Sequence, residues 1–469
     1  MILSSITSAA FMFFGYLILF YMFLVIGVYT SMLIVALFQL KKELKLDRYI
    51  IDSESLEFVY SKPVSIIVSA FNEEVGILDT IQSLLTLNYP QVEIIIVNDG
   101  STDSTEEQII KGFQMYEVEK VVQEHLPTMT IQSIYQSTSQ PNLILVTKDN
   151  GGKADALNAG INISKYPYFC SIDGDSILDS TSLLRIMKPM ISSDDEVIAA
   201  GGTVRIANGF DIQLGTVMSS SLSSNKLVIM QVIEYMRAFL MGRIALSKFN
   251  LVLIISGAFS VFSKKWVIDA GGYSTKTIGE DMELVVKLHR LNRERKSNKK
   301  IVFIPDPVCW TEAPETLSDL RKQRRRWHQG LAESLWKHKK MIFNPKYGPV
   351  GLVSIPYFWF IELLGPVIEL LGYAYIVLLF LMGEVYYEFA ILLSLLFILY
   401  GSLFSMVSVL LETWSRNTYT KPADILKILL LSVTEVFWYR PLTIIWRCEG
   451  IVAAIFRRKA WGTLTRKGF

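Results

Sequence analysis

The chain has 469 residues, 51% of them hydrophobic, a mean hydropathy of +0.35 and a formal net charge of +2. This balance excludes a strongly basic nucleic-acid binder, and the apolar excess excludes an ordinary soluble domain. Cys170, Cys309 and Cys448 lie far apart without CxxC spacing, which excludes a disulfide-stapled secreted fold and predicts reduced thiols.

From Met1 to Leu40 there is no Asp, Glu, Lys or Arg. The apolar run Phe11 to Phe38 exceeds the roughly 20 residues that a bilayer-spanning helix needs. It lacks the basic start of a cleaved signal, so it is expected to be a retained anchor. Lys41, Lys42, Lys45 and Arg48 follow at once. Positive charge marks the cytoplasmic side of a span, so the polar segment at about 45–345 is expected in the cytoplasm.

That segment alternates strand and helix signals. Val64 to Ser69 is a buried-strand pattern, and Asn72 to Leu87 places Ile77, Ile81, Leu84 and Leu85 on one helical face. Glu93 to Val97 is the next strand, closed by Asn98-Asp99-Gly100, and Asp103-x-x-Glu106 resembles a capping box. Residues 111–142 give no assignable element. Leu143 to Thr147 is a third strand, Ala154 to Ile163 a helix, and Tyr168 to Ile172 a fourth strand ending in Asp173-Gly174-Asp175. The rhythm predicts an α/β fold, a mostly parallel sheet with helices on both faces. Ligands of such sheets bind beyond the carboxyl ends of the strands, where Asn72-Glu73-Glu74, Asn98-Asp99 and Asp173/Asp175 all fall. Neither GxGxxG nor GxxxxGK[ST] occurs, so dinucleotide and P-loop readings have no support.

The C-terminal third is apolar again. Only Glu362 and Glu369 carry charge between Val350 and Met382, and Phe389 to Leu411 carries none. Gly383 to Glu388 reads as a short outside turn. Residues 424–456 are interrupted by Glu435, Arg440, Arg447 and Pro441, which leaves open one poor span, a hairpin, or a span plus a surface helix. The tail Arg457-Arg458-Lys459 and Arg466-Lys467 points to a cytoplasmic end. Glu362 and Glu369, two turns apart on one face, either line a wet path, hold the catalytic part to the membrane, or are plain interfacial acids. The expected organisation is an anchor at 1–42, a cytoplasmic α/β domain at 43–315, an interfacial helix at 316–345, membrane helices at 346–456 and a basic tail at 457–469.

Several residues could carry chemistry. Asp173 and Asp175 at i and i+2 on a strand-ending turn suit Mg²⁺ or Mn²⁺, which joins one or two carboxylates to substrate phosphates; Asp-Gly-Asp is also an ordinary turn. Gly151-Gly152-Lys153 opens a helix, where close backbone approach and the lysine suit a diphosphate, or where the lysine is simply solvated. Glu280 and Asp281 precede a helical run, either as caps or with Asp281 as general base. Gln323, Arg326, Trp327 and Gly330 share one face of a helix over Leu317 to Lys340, with Leu320, Trp327, Leu331 and Leu335 as an apolar stripe. Either an inward arginine there clamps phosphates and Trp327 stacks on a sugar, or the helix merely rests on anionic lipid.

Taken in order, these stretches resemble the membrane-embedded family 2 glycosyltransferases, the poly-N-acetylglucosamine, chitin-oligosaccharide, hyaluronan and cellulose synthases. The residues that carry the resemblance are Ser69-Ala70-Phe71-Asn72-Glu73, Asn98-Asp99-Gly100-Ser101, Gly151 to Asn158, Asp173-Gly174-Asp175, Ser256-Gly257-Ala258-Phe259, Gly279-Glu280-Asp281 and Gln323-Arg324-Arg325-Arg326-Trp327. The resemblance implies a GT-A fold and inverting transfer from a UDP-sugar, UDP-N-acetylglucosamine by first choice, to an oligosaccharide or polysaccharide. It implies nucleotide contacts from Phe71, Glu73, Asp99, Lys153 and Asp173, with Asp175 on Mg²⁺ or Mn²⁺. Asp281 would be the base beside Glu280, and Gly257, Gln323, Arg326 and Trp327 would meet acceptor and diphosphate. The family's Thr-Glu-Asp is Gly279-Glu280-Asp281 here, which spares both acids. Addition of one sugar to a lipid carrier, or a catalytically silent nucleotide-binding scaffold, are the rival readings. A multi-pass plasma-membrane location, no nucleic-acid partner and room for accessory subunits complete the expectation.

Overall fold

The computed structural model describes residues 2–50, 61–213, 216–219, 221–382, 387–415, 418–419 and 421–457. The outside turn at 383–386 and the basic tail beyond Arg457 lie outside the described residues.

Ten strands form one sheet: β1 (Val64–Ala70), β2 (Val92–Asn98), β3 (Met115–Glu117), β4 (Ile131–Ser137), β5 (Leu143–Lys148), β6 (Tyr168–Asp173), β7 (Ser176–Leu178), β8 (Val197–Ile206), β11 (Phe259–Ser263) and β12 (Lys300–Thr311). Their order is β3-β4-β5-β2-β1-β6-β11-β8-β12-β7, while β9 (Asp211–Gln213) and β10 (Thr216–Ser219) form a separate hairpin. The central strands β5, β2, β1 and β6 are parallel, and antiparallel partners flank them on both sides.

Alternation splits the core into two layers. Ile66 and Val68 of β1 and Ile94 and Ile96 of β2 join one cluster, with Ile77 and Ile81 of the Ile77–Leu85 helix. Ile67, Ile95 and Val97 point the other way, onto Ala156 and Leu157 of the Lys153–Ile163 helix. Gly160 lets that helix lie on the sheet, because a Cβ there would collide with Ile67.

Register brings the functional loops together. Asn98 pairs with Ala70 and with Thr147, and Ser69 pairs with Asp173, so four strands end at one level. β2 lies on one side of β1 and β6 on the other, which makes the gap between β1 and β6 the topological switch point.

Two local expectations are corrected. Asp103 and Glu106 do not form a capping box: the Thr105–Gly112 helix begins after Ser104, Asp103 accepts from the Thr105 N–H at 3.0 Å, and Glu106 accepts from Asn98 Nδ2 at 3.0 Å. Asn72 to Gly76 is a loop, and the helix starts only at Ile77. Asn72 takes a left-handed φ of 55°, and its side chain accepts from the Thr102 N–H at 2.8 Å. The polar start of that stretch is used to join two loops.

Among the described residues three helices are long and apolar enough to cross a membrane: Met12–Lys42, Val350–Leu381 and Ile398–Ser415. Pro422–Thr434 and Tyr439–Ile455 form a pair bent by 62°. The bend falls just before Pro441, which a first helical turn tolerates. Large apolar side chains such as Phe13, Phe20 and Leu381 are exposed on the first two of these helices, as lipid contact requires.

Candidate active site

The cleft lies beyond the strand ends. The loops after β1 and β2 are stitched by Asn72 N–H donating to Ser101 Oγ at 3.0 Å and Glu73 N–H donating to Thr105 Oγ1 at 2.9 Å. Glu73 is buried and covers Gly174, where a Cβ would come within 3.1 Å of its Cγ. A side chain at Gly174 would have to push Glu73 aside by a few tenths of an ångström. Phe71 is 40% exposed at the rim.

Asp99 is buried, and its oxygens are already engaged. Lys148 Nζ lies at 2.5 Å, Gly151 N–H at 3.0 Å and Gly152 N–H at 2.7 Å. The glycine amides expected to face a diphosphate thus hold an internal carboxylate. Lys148, fully buried, also pairs with Asp155 at 2.7 Å. Reading the sequence missed Lys148; a lysine ending an apolar strand was the available signal, since a buried cation needs acids around it.

Lys153 is the hub of the site. Its Nζ lies 2.7 Å from Asp173 Oδ1 and 3.4 Å from Asp281 Oδ2, and it donates to the Gly257 carbonyl at 3.3 Å. Burial opposes its charge, but Asp173, Asp281 and Glu280 outweigh burial and hold its pKa well above the usual lysine range. A Cβ on Gly257 would collide with the Asp281 carboxylate, so that glycine is what admits the acid. Asp281 stands in the first turn of the Glu280–Glu294 helix, where the macrodipole favours an anion. Burial nevertheless raises its pKa, and burial together with the Asp281 charge pushes Glu280 up to about 8. Lys153 and, more weakly, Arg326 oppose both shifts. Asp175 accepts from Thr311 Oγ1 at 3.5 Å and acts electrostatically on Tyr235, whose ring lies 6.2 Å from that of Trp327. Lys153 therefore gathers Asp173, Asp281 and Gly257 at one ammonium, with Glu280 next to Asp281, while Asp175 and Trp327 approach from the Thr311 and Tyr235 side.

The Leu317–Lys337 helix forms its floor. Gly330 presses on Gly279, where a Cβ on either would meet backbone at 2.7 Å. Glu333 accepts from the Ile278 N–H at 2.9 Å, and Ser334 Oγ donates to the Gly279 carbonyl at 3.2 Å. Behind the catalytic turn, buried Glu283 accepts from His338 Nε2 at 3.0 Å and pairs with Lys337 at 2.9 Å. The expected apolar stripe is corrected: Leu320 and Leu335 are buried, but Trp327 is 44% exposed. Gln323 is buried behind it, with its Oε1 accepting from Arg324.

The carboxylates suit a divalent cation. Among the described residues no set of three or more His, Cys, Asp or Glu gathers as a closed metal cage. Asp173 and Asp175 instead offer two hard oxygen donors, as Mg²⁺ sites completed by phosphate do. Burial is the largest cause of the raised pKa of Glu280 and Asp281, and Lys153 and Arg326 offset it only in part.

The family model "Glycosyltransferase like family 2" matches residues 62–330. The chain belongs to this family. Poly-beta-1,6-N-acetyl-D-glucosamine synthase of Staphylococcus aureus (strain COL) is 32% identical over 293 residues, covering 62% of this chain and 60% of the relative. Its Staphylococcus epidermidis counterpart is 32% identical over 274 residues, covering 58% and 55%. The chain thus spans about 60% of the length of the curated relatives it matches. A mannosyltransferase from Pyrobaculum calidifontis, solved with GDP-Man and Mn²⁺, superposes with a TM-score of 0.52 at 14% identity, over 93% of this chain and 99% of that one. That likeness shows the fold, which is GT-A: a mixed sheet with a parallel centre, joined here to transmembrane helices.

Proposed function

We propose that this family 2 glycosyltransferase transfers a sugar from a UDP-sugar, with inversion, onto a growing β-linked polysaccharide at the membrane. The observation that carries the reading is Lys153, whose ammonium joins Asp173 of the nucleotide side to Asp281 of the acceptor side in one cleft. Asp281 is the general base that takes the acceptor hydroxyl proton as that oxygen attacks the anomeric carbon. A single displacement converts an α-linked donor into a β-linkage. Arg326 and Lys153 offset charge on the departing diphosphate. Asp173 and Asp175 would hold Mg²⁺ or Mn²⁺, which supplies further neutralisation of that diphosphate when bound. Phe71 and Glu73 border the nucleotide end. Asp99 shapes that end through the glycine turn it anchors. Gln323, Trp327 and Gly257 border the acceptor end.

The relatives named as poly-N-acetylglucosamine synthases favour UDP-N-acetylglucosamine as donor. The charges after Leu40 favour a cytoplasmic catalytic domain, and the apolar helices a multi-pass plasma-membrane protein. Addition of a single sugar to a lipid-linked acceptor is the competing outcome. Purified full-length protein incubated with a panel of radiolabelled UDP-sugars, with mass analysis of products, tests all of this. A ladder of β-linked oligomers from UDP-N-acetylglucosamine is expected. A product one sugar long would replace the polymer reading, and no transfer from any UDP-sugar would end it.

A further inference from the structure

The proposed chemistry makes no use of Arg324, yet its side chain is among the most deeply buried in the protein, at 1% exposure. A guanidinium removed from water persists only among partners that replace its hydration. Nη2 donates to Glu234 Oε2 at 2.7 Å, and the Tyr439 hydroxyl donates to the same oxygen at 2.6 Å. Arg447 Nη2 lies 3.9 Å from the other Glu234 oxygen. The guanidinium carbon of Arg324 sits 4.3 Å from the centre of the Trp327 ring. Tyr235, next to Glu234, lies beside the same ring.

Three separate elements thus meet at one side chain. Glu234 comes from the Lys226–Arg237 helix, Arg324 from the Leu317–Lys337 helix, and Tyr439 from the bent membrane pair. The last of these cannot slide. Gly450 packs so closely that a Cβ would meet the Arg325 carbonyl at 2.6 Å, and Arg321 grips Glu449 with two bonds of 2.9 and 2.7 Å. The phenol of Tyr439 is therefore fixed relative to Arg324. Trp327 keeps 44% of its surface exposed.

We propose that Arg324 is a positioning residue, clamped by Glu234 and Tyr439, that sets the Trp327 ring for the acceptor sugar. The inference rests on the reading of Trp327 as an acceptor contact. A planar guanidinium can pair with Glu234 and cover an indole at the same time; a lysine ammonium keeps the charge but has no flat face to stack. A clamp on Trp327 bears on the acceptor and leaves the nucleotide end, built on β1, β2 and β6, untouched.

The test uses full-length protein in detergent with a short β-linked N-acetylglucosamine oligosaccharide as acceptor. Arg324→Lys is expected to raise the acceptor KM about tenfold, the scale of losing a desolvated cation–π contact. The donor KM and acceptor-free hydrolysis of the UDP-sugar should stay within about twofold of wild type. Tyr439→Phe, which removes one hydrogen bond and no charge, should raise the acceptor KM by about threefold. A second readout needs no turnover: the ¹⁹F resonance of fluorotryptophan 327, assigned through Trp327→Phe, should shift in Arg324→Lys. An unmoved resonance, or an unchanged acceptor KM in Arg324→Lys, would overturn the proposal. So would donor and acceptor constants worsening together in Tyr439→Phe. Wild-type protein inactive on every UDP-sugar would instead sink the functional reading, and the resonance would still decide the role of Arg324.

Discussion

The cleft and the membrane junction use the same residue types to opposite ends. At the junction four buried or half-buried carboxylates are each paired with an arginine: Glu234 with Arg324 at 2.7 Å, Glu435 with Arg237 at 2.9 Å, Glu412 with Arg205 at 2.6 Å and Glu369 with Arg440 at 2.8 Å. Burial opposes the charge of Glu234, but Arg324 and Arg447 outweigh it and bring its pKa down to about 2. In the cleft Asp173 and Asp281 share Lys153, Glu280 and Asp281 feel both Lys153 and Arg326, and burial raises the pKa of Glu280 and Asp281. Paired charge ties helices together at the junction, whereas the cleft acids crowd around shared cations. The two regions should therefore fail differently when one charge is removed.

The sharpest contrast comes from Asp281→Asn. If Asp281 is the base, transfer falls by about 10³-fold, within the range general bases contribute. UDP affinity by calorimetry should change less than about threefold, and the thermal midpoint should not fall, because a crowded anion has been removed. Equal loss of transfer and nucleotide affinity would make Asp281 a structural acid and erase the contrast.

Gly257→Ala probes the same cleft by shape. The new methyl would occupy the space of the Asp281 carboxylate. A displacement near 1 Å in a reacting group costs on the order of 10²-fold in rate. The variant should fold, bind UDP and turn over about 10²-fold slower. Near-normal turnover would show that Asp281 has room to move.

At the junction the loss should appear as stability. Arg440 donates to Glu369 through Nε at 3.0 Å and Nη2 at 2.8 Å, tying the Gly365–Met382 helix to Tyr439–Ile455. Glu362 accepts from the Tyr357 hydroxyl at 2.5 Å, so neither acid stands bare along a path. Arg440→Met should cost roughly 3 kcal/mol, the low end for breaking a buried pair, since a third of the arginine lies outside the protein. Glu369→Leu combined with Arg440→Met should recover most of it. Thermal midpoints in detergent check this, and a double variant no better than the single would mean the pair has a role beyond neutralising charge.

The same contrast explains what the sequence disclosed. Strands β1, β2, β5 and β6 were legible to within a residue or two, because each is a short apolar run closed by turn residues. β3 and β4 were not: Gln132, Ser133 and Gln136 break the alternation on an edge that is half open to water. β8 hides behind Gly201 and Gly202, whose space Ile255 and Phe259 fill from distant positions. Asp173 and Asp175 were legible as a motif at a strand end, and Glu280 and Asp281 as acids opening a helix. The junction pairs were not, because Glu234 and Arg324 lie 90 residues apart. Of three adjacent arginines, only the helix rotation decides that Arg324 is sealed inside while Arg326 reaches the cleft.

Glu280 offers the gentlest test, and its sign can be worked out. Its folded pKa of about 8 exceeds the ordinary glutamate value of 4.5, with burial the largest cause and Asp281 next. The folded protein therefore holds a proton that the unfolded chain releases near pH 4.5. The stability linked to that proton is fully present below 4.5 and is lost as pH rises through about 8. With a chelator present and no nucleotide, the wild-type midpoint should decline between pH 5 and 8. Glu280→Gln mimics the protonated form and should flatten that part of the curve. At the junction Glu234 is already ionised across this window, so Glu234→Gln should lower the whole curve without flattening it. If Glu280→Gln and Glu234→Gln changed the pH dependence alike, the distinction between a poised cleft and a balanced junction would not stand.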